Sequence, residues 1–195
     1  MDIIYIIAPT ILGLFGFSVS STKIITQGNQ ALVERLGKYQ KKLDPGLNLI
    51  IPLIDKIAVE ETTRGRILDI KPESSVTKDN VSVEVDVVVY WRILDLERAH
   101  YKVEDIEEIE DIEDGIRSLV VKALHSIISH YELNAIYASR DQINQTLLEK
   151  LARLTDGWGV KVQRIKVQEI KQPESLTEFL EKREAAESEK QTSKV

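Results

Sequence analysis

The chain has 195 residues, one domain's worth with short appendages, and no cysteine, which excludes disulfides, thiolate nucleophiles, Cys-ligated zinc and iron–sulfur clusters. Twenty-six Lys and Arg against 32 Asp and Glu give a net charge of −6, which argues against nucleic acid as the main partner. Eight of those acids fall between Glu104 and Asp114, and removing them turns −6 into +2, so the net charge is one local feature on a nearly neutral protein.

Ile3 to Thr22 is a run of 20 residues without a charge. As a helix rising about 1.5 Å per residue it would reach about 30 Å, the thickness of a bilayer's hydrocarbon. Residues 1–22 therefore read as a membrane anchor, with Ile3, Ile4, Ile7, Ile11, Leu12, Leu14, Phe15 and Phe17 facing lipid. Pro9, Gly13 and Gly16 interrupt it, but a helix in lipid tolerates them. A re-entrant or interfacial segment and a buried core helix are alternatives. So is a cleaved leader, since Ser18 and Ser20 resemble a small-residue cleavage pattern, although Asp2 stands where a basic flank belongs. Lys23, Arg35, Lys38, Lys41 and Lys42 follow the segment, and only the amino terminus precedes it. The positive-inside rule then predicts a single-pass protein with its body on the cytoplasmic side. The same five bases, less Glu34, leave +4 near the presumed membrane, either a collar that reads anionic lipid or an ordinary solvated hairpin.

From Lys23 to Ile93 the signals are those of strands. Gln27-Gly28-Asn29 and Asp44-Pro45-Gly46 are turn clusters, with apolar runs such as Leu47 to Ile51 between them. Val81, Val83, Val85, Val87 and Val89 alternate with Ser82, Glu84 and Asp86, which predicts a strand with one core face, fed by a turn at Thr77-Lys78-Asp79-Asn80. After Ile93 the period becomes helical. Asp95 caps a short helix through Tyr101, and a longer one runs from about Asp105 to Tyr131 with Leu119, Val120, Ala123, Leu124 and Ile127 inward. Ser139 with Gln142 predicts a capping box, backed by a buried stripe of Ile143, Leu147, Leu151 and Leu154. Asp156-Gly157-Trp158-Gly159 ends that helix. Val160 to Lys171 is a strand whose alternation slips by one near Gln163-Arg164, as a bulge would make it. Pro173 opens a last helix, Glu174 to about Lys190, with Leu176, Phe179 and Leu180 as its apolar patch and as candidate oligomer contacts.

The search for chemistry finds little. Nucleophilic catalysis would fall to Ser, Thr or Lys, and His125 and His130 are five apart, not the i,i+4 pair of a zinc-binding helix. No phosphate-binding or nucleophile-elbow glycine pattern occurs, and neither cofactor nor metal is expected. The acidic run has the best claim to a role. Ile106, Ile109, Ile112 and Ile116 keep one apolar side, so Glu107, Glu108, Glu110, Asp111, Glu113 and Asp114 form the other face of a helix start, where the macrodipole favours negative charge. It reads as a solvated face, as a docking surface for a basic partner or a neighbouring subunit, or, least of all, as a cation site.

Several of these stretches together resemble a known family. Gln27-Gly28, Ala31-Leu32-Val33-Glu34-Arg35-Leu36-Gly37-Lys38-Tyr39, Pro45-Gly46-Leu47, Ile51-Pro52 and Ile54-Asp55 resemble the start of stomatin-like proteins. So do Thr77-Lys78-Asp79-Asn80-Val81-Ser82-Val83, Val89-Tyr90-Trp91-Arg92-Ile93 and Trp158-Gly159-Val160-Lys161-Val162. The stretch 23–172 is thus identified as an SPFH, or band 7, domain of the stomatin/prohibitin/flotillin superfamily, followed by a short charged helix and tail over 173–195. The resemblance implies an α+β fold, strand-rich then helix-rich, without enzymatic activity. It also implies membrane lipids and related subunits as partners, in homo- or hetero-oligomers, and a role in organising membrane microdomains and modulating channels or membrane proteases. An alternative is a regulatory subunit that binds a membrane protease or channel through the acidic face. Three departures stand out. The acidic run looks expanded. Gly157 stands where a Pro usually precedes the Trp-Gly pair, which should loosen that turn. No sustained heptads follow Leu180, so a cage-closing coiled coil is not expected.

Overall fold

The computed structural model describes residues 21–101 and 109–171, with only the backbone of Ile109 and Glu110. The presumed anchor from Ile3 to Phe17, the acids Glu107 and Glu108, the side chain of Glu110, and Leu176, Phe179 and Leu180 lie outside the described residues. Among the described residues no helix is long and apolar enough to cross a membrane.

Strand follows strand through the first half, as the turn clusters predict: β1 (Thr22–Ile25), β2 (Asn29–Arg35), β3 (Lys38–Leu43), β4 (Gly46–Leu49), β5 (Asp55–Thr62), β6 (Arg66–Val76) and β7 (Ser82–Ile93). Helices then take over: α1 (Leu96–Tyr101), α2 (Ile109–Ile128), α3 (Leu133–Ala138) and α4 (Arg140–Leu154), before a last strand β8 (Val160–Lys171). The chain divides into two compact units. The first contains residues up to 65 with 92–108 and 157–160, and the second contains 66–91, 109–156 and the rest.

In the first unit β2 is central, antiparallel to both β3 and β5, while β1 and β4 pair antiparallel as a separate ribbon. Its core is Ile25, Ala31, Val33 and Leu43, with Ile50 and Ile57 packed against it. Asp95 caps α1 as expected, its Oδ1 accepting the Arg98 N–H at 3.2 Å.

In the second unit the sheet order is β6-β7-β8, with β6 and β7 antiparallel. The valine alternation of β7 is realised: Val83, Val85, Val87 and Val89 are all fully buried. Val120, Ala123, Leu124 and Ile127 of α2 are buried as predicted, Leu119 is half-buried, and Ile112, Ile116 and Ile128 complete the stripe. The turn Thr77–Asn80 closes through the Thr77 N–H to Val81 O at 2.9 Å. It also reaches across to α3, where Asp79 Oδ1 accepts the Leu133 N–H at 3.2 Å. That cap compensates for Glu132, whose side chain makes no capping bond.

Two expectations are corrected. Ser139 does not form a capping box. It is at once the last turn of α3 and the first of α4, at φ −107° and ψ 19°, and its hydroxyl makes no capping bond. An N-cap needs an extended backbone to aim its oxygen at the helix, and Ser139 lacks one. Leu154 is not in the buried stripe: it is 52% exposed while Ile143, Leu147 and Leu151 are buried, because α4 ends there. The slip in β8 does occur. Gln163 and Arg164 are both exposed, and so are Gln168 and Glu169 five residues later.

Candidate functional site

The β1–β4 ribbon is amphipathic in an unusual sense. Alternation puts Ile25 into the core at 2% exposure and leaves Ile24 outside at 69%. Ile24 stands opposite Leu47, and Thr22 opposite Leu49. Leu47 and Leu49 are 70% and 65% exposed, so the outward face of this ribbon is apolar too. The loop that follows continues it, with Ile51, Leu53 and Ile54 at 40%, 103% and 43%. The tip of the β2–β3 hairpin joins them: the Leu36 N–H donates to Ile54 O at 3.4 Å, and Leu36 is 84% exposed. A contiguous apolar patch of this kind marks an interaction surface far more often than a solvated one.

Backbone conformation strengthens that reading. Leu36 has φ 53° and Leu53 has φ 72°, the left-handed region that a residue with a Cβ enters at a cost of about 1–2 kcal/mol. Gly, Asn or Asp would serve such turns better. Leucine there helps neither the turn nor the core, since neither side chain is buried. Strain retained at an exposed apolar side chain is what a contact made by that side chain would explain.

The loop is held rigidly for its length. Asp55 takes two N–H groups of the Arg35 guanidinium on its carboxylate, at 2.8 and 3.3 Å, and the Ile51 N–H at 2.8 Å. Its side chain is 1% exposed. The Arg35 bond, then the Ile51 N–H, hold the Asp55 carboxyl below the usual carboxylate range, and the Arg35 guanidinium is raised in turn by its bond to Asp55. Arg35, expected in the lipid-facing collar, is thus the clamp of the apolar loop.

The other collar residues share this unit. Lys23 pairs with Glu60 at 3.2 Å and Lys42 with Asp44 at 4.0 Å, while the Lys41 ammonium donates to Leu49 O at 2.6 Å. Lys38 lies exposed beside the Leu36 tip. Three of the five bases therefore meet carboxylates of their own chain, and the surface is more apolar and less cationic than the sequence suggests. Nearby, Tyr39 and Tyr101 meet edge to face at 5.7 Å. Burial, then the bond its hydroxyl donates to Glu34 at 2.8 Å, pushes Tyr101 upward, so it stays a donor.

The acidic face is seen only in part. Glu113 pairs with Arg66 at 3.7 Å and Asp114 with Arg117 at 3.5 Å, and Asp111 is half-buried beside them. The histidines serve structure: His125 Nε2 lies 3.0 Å from Ser74 O, His130 Nδ1 2.6 Å from Ser126 O, and His100 packs on Tyr101. A pocket of about 260 Å³ between α2 and α4 is lined by Ser126, Ile127, His130, Tyr131, Thr146 and Lys150, and there the Lys150 ammonium donates to Ser126 Oγ at 3.2 Å. Among the described residues no group of three or more His, Asp or Glu could hold a metal ion.

Sequence reasoning missed the apolar tip. Its signal was present, in leucines at turn positions, Leu36 before Gly37 and Leu53 after Pro52, where polar turn formers belong.

Comparison with known proteins agrees with the motifs. The profile of the SPFH domain / Band 7 family matches residues 23–195. An uncharacterized protein of Methanocaldococcus jannaschii is 42% identical over 166 residues, which is 85% of this chain and 79% of that one. Another, of Methanothermobacter thermautotrophicus, is 36% identical over 177 residues, 91% of this chain and 54% of its own length. The human protein named stomatin-like protein 2, mitochondrial, is 28% identical over 166 residues, 85% of this chain and 45% of the relative. The chain thus spans about half the length of the last two. With an SPFH profile covering nearly all of it and a strand-rich half followed by helices, the chain belongs to the SPFH domain / Band 7 family.

Proposed function

We propose that this chain is a membrane-anchored, self-assembling scaffold whose first unit rests on the bilayer through the apolar tip. The carrying observation is the pair Leu36 and Leu53, two exposed leucines held in the left-handed region where they serve no folding purpose. Transfer of a leucine side chain from water to hydrocarbon yields about 1.5–3 kcal/mol, enough to offset the strain of each. Lipid is the fitting occupant because β1 follows directly on the uncharged run Ile3 to Thr22. That run would cross the membrane once and leave the domain on the cytoplasmic side. Organising membrane microdomains and modulating membrane proteins belongs to the same reading, and no catalytic step is assigned.

The test uses the lack of native cysteine. Leu36→Cys, Leu53→Cys and, as a control in the second unit, Lys161→Cys are each labelled with an environment-sensitive dye in the full chain reconstituted in vesicles. Dyes at 36 and 53 should be quenched by bilayer-embedded bromolipids and shielded from aqueous iodide, with the reverse at 161. Equal iodide access at all three positions would refute the contact.

A further inference from the structure

We propose that the pocket between α2 and α4 binds a small organic carboxylate, its charged end on Lys150 and Ser126 and its apolar body on Ile127 and the Tyr131 ring. Both helices belong to the second unit, so the site is complete within one compact body. Neither anchoring nor assembly is needed for it.

Two helical repeats build the pocket. α4 turns Ile143, Leu147 and Leu151 into the core, which puts Thr146 and Lys150, four apart, at the half-buried margin of that stripe. α2 ends in a tighter turn, with the His130 N–H donating to Ile127 O and the Tyr131 N–H to Ile128 O, each at 3.0 Å. That turn brings Ser126 and His130, and Ile127 and Tyr131, to the one pocket. Ser126 and Thr146 are short, and about 260 Å³ stays open beside them. A cavity of about 150 Å³ takes up benzene, so this one has room for a ring with a short acidic arm.

The polar groups left over are donors. Lys150 Nζ has three N–H groups and uses one on Ser126 Oγ at 3.2 Å. Ser126 Oγ accepts there, and among the described residues nothing takes its own hydrogen. The Tyr131 hydroxyl likewise has no partner among the described residues. Opposing groups are turned away. Thr146 Oγ1 donates to Gln142 O at 2.8 Å, and the carboxylate of Glu149 accepts from Gln145 Nε2 at 3.2 Å along α4. Among the described residues no Asp or Glu lines the pocket, and Lys150 forms no ion pair.

The end of α2 would ordinarily repel an anion through its free carbonyls. Here they are taken: His125 O accepts the Ser129 N–H at 3.1 Å, Ser126 O accepts from His130 Nδ1 at 2.6 Å, and Ile127 O and Ile128 O are bonded as above. One fixed cation with a hydroxyl suits a singly charged carboxylate. A phosphomonoester carries nearly two charges, and no arginine fork lines the pocket to hold it.

The full chain in mild detergent, carbon-13 labelled at its isoleucine methyls, is titrated with phenylacetate. Ile127, buried at the pocket wall, is the reporter, assigned through Ile127→Val. Its methyl should shift saturably, while the other isoleucine methyls report folding. Phenylacetamide, with the shape but not the charge, and acetate, with the charge but not the ring, should each bind about tenfold or more weakly. Lys150→Met keeps the stem and removes the charge, and should weaken phenylacetate about tenfold or more; Ser126→Ala should weaken it about threefold or more. No saturable shift at Ile127 would overturn the site. So would binding of the amide or of acetate as tight as that of phenylacetate, or wild-type affinity in either folded variant.

Discussion

Two glycines two residues apart show how differently one residue type can be used. Gly159 has φ +70°, and a Cβ there would come within 2.4 Å of Asp95 O and 3.0 Å of Ala99 N. Its carbonyl accepts the N–H groups of Leu94 and Asp95, each at 2.9 Å, so Gly159 is fixed against the residues that lead into α1 within the first unit. Gly159→Ala should cost about 3 kcal/mol or more in chemical denaturation, from backbone strain and overpacking together. Gly157 sits in one turn of 3-10 helix over Asp156–Trp158, and a Cβ there meets nothing within 4 Å. Gly157→Ala should instead stabilise by about 0.4–1 kcal/mol, by stiffening the unfolded chain. Asp55 makes a third residue-scale prediction. Its carboxyl is depressed in the folded protein, so its contribution is fully present above the unfolded value of 3.8 and is lost as pH falls through the folded one. Asp55→Asn should lower the melting temperature at pH 7, and that deficit should shrink as pH falls below 3.8 and through the lowered folded value, where wild type loses the same charge.

Elements were legible in the sequence in proportion to how strongly one face is committed to the core. β7 reads plainly because four valines share one side. α1 reads plainly because Asp95 caps it. The β1–β4 ribbon could be read as strands but not for exposure, since Leu47 and Leu49 look like core residues until the register with Ile24 sets them outward. The short α3 escaped because its cap comes from Asp79, 54 positions away in sequence. The predicted capping box failed for a related reason: Ser139 is shared by two helices and cannot be extended for either. Here substitution separates pattern from structure. Ser139→Ala should change stability by less than about 0.5 kcal/mol, against the roughly 1 kcal/mol of a working cap. Asp79→Ala should cost clearly more in the same denaturant titration, because the Thr77 hydroxyl and the Leu133 N–H both lose their partner.

For the whole molecule, the proposed contact with lipid can be told apart from an ionic one. The surface offered to lipid is mainly apolar, since Lys23, Arg35 and Lys42 are matched by Glu60, Asp55 and Asp44. The screening length falls from about 8 Å at physiological ionic strength to about 3 Å at 1 M, whereas apolar transfer is not weakened by salt. Raising sodium chloride to about 1 M should therefore leave the bromolipid quenching of dyes at positions 36 and 53 unchanged in vesicles. Loss of that quenching in salt would mean that the first unit is held by its bases on anionic headgroups, and not seated by its strained leucines.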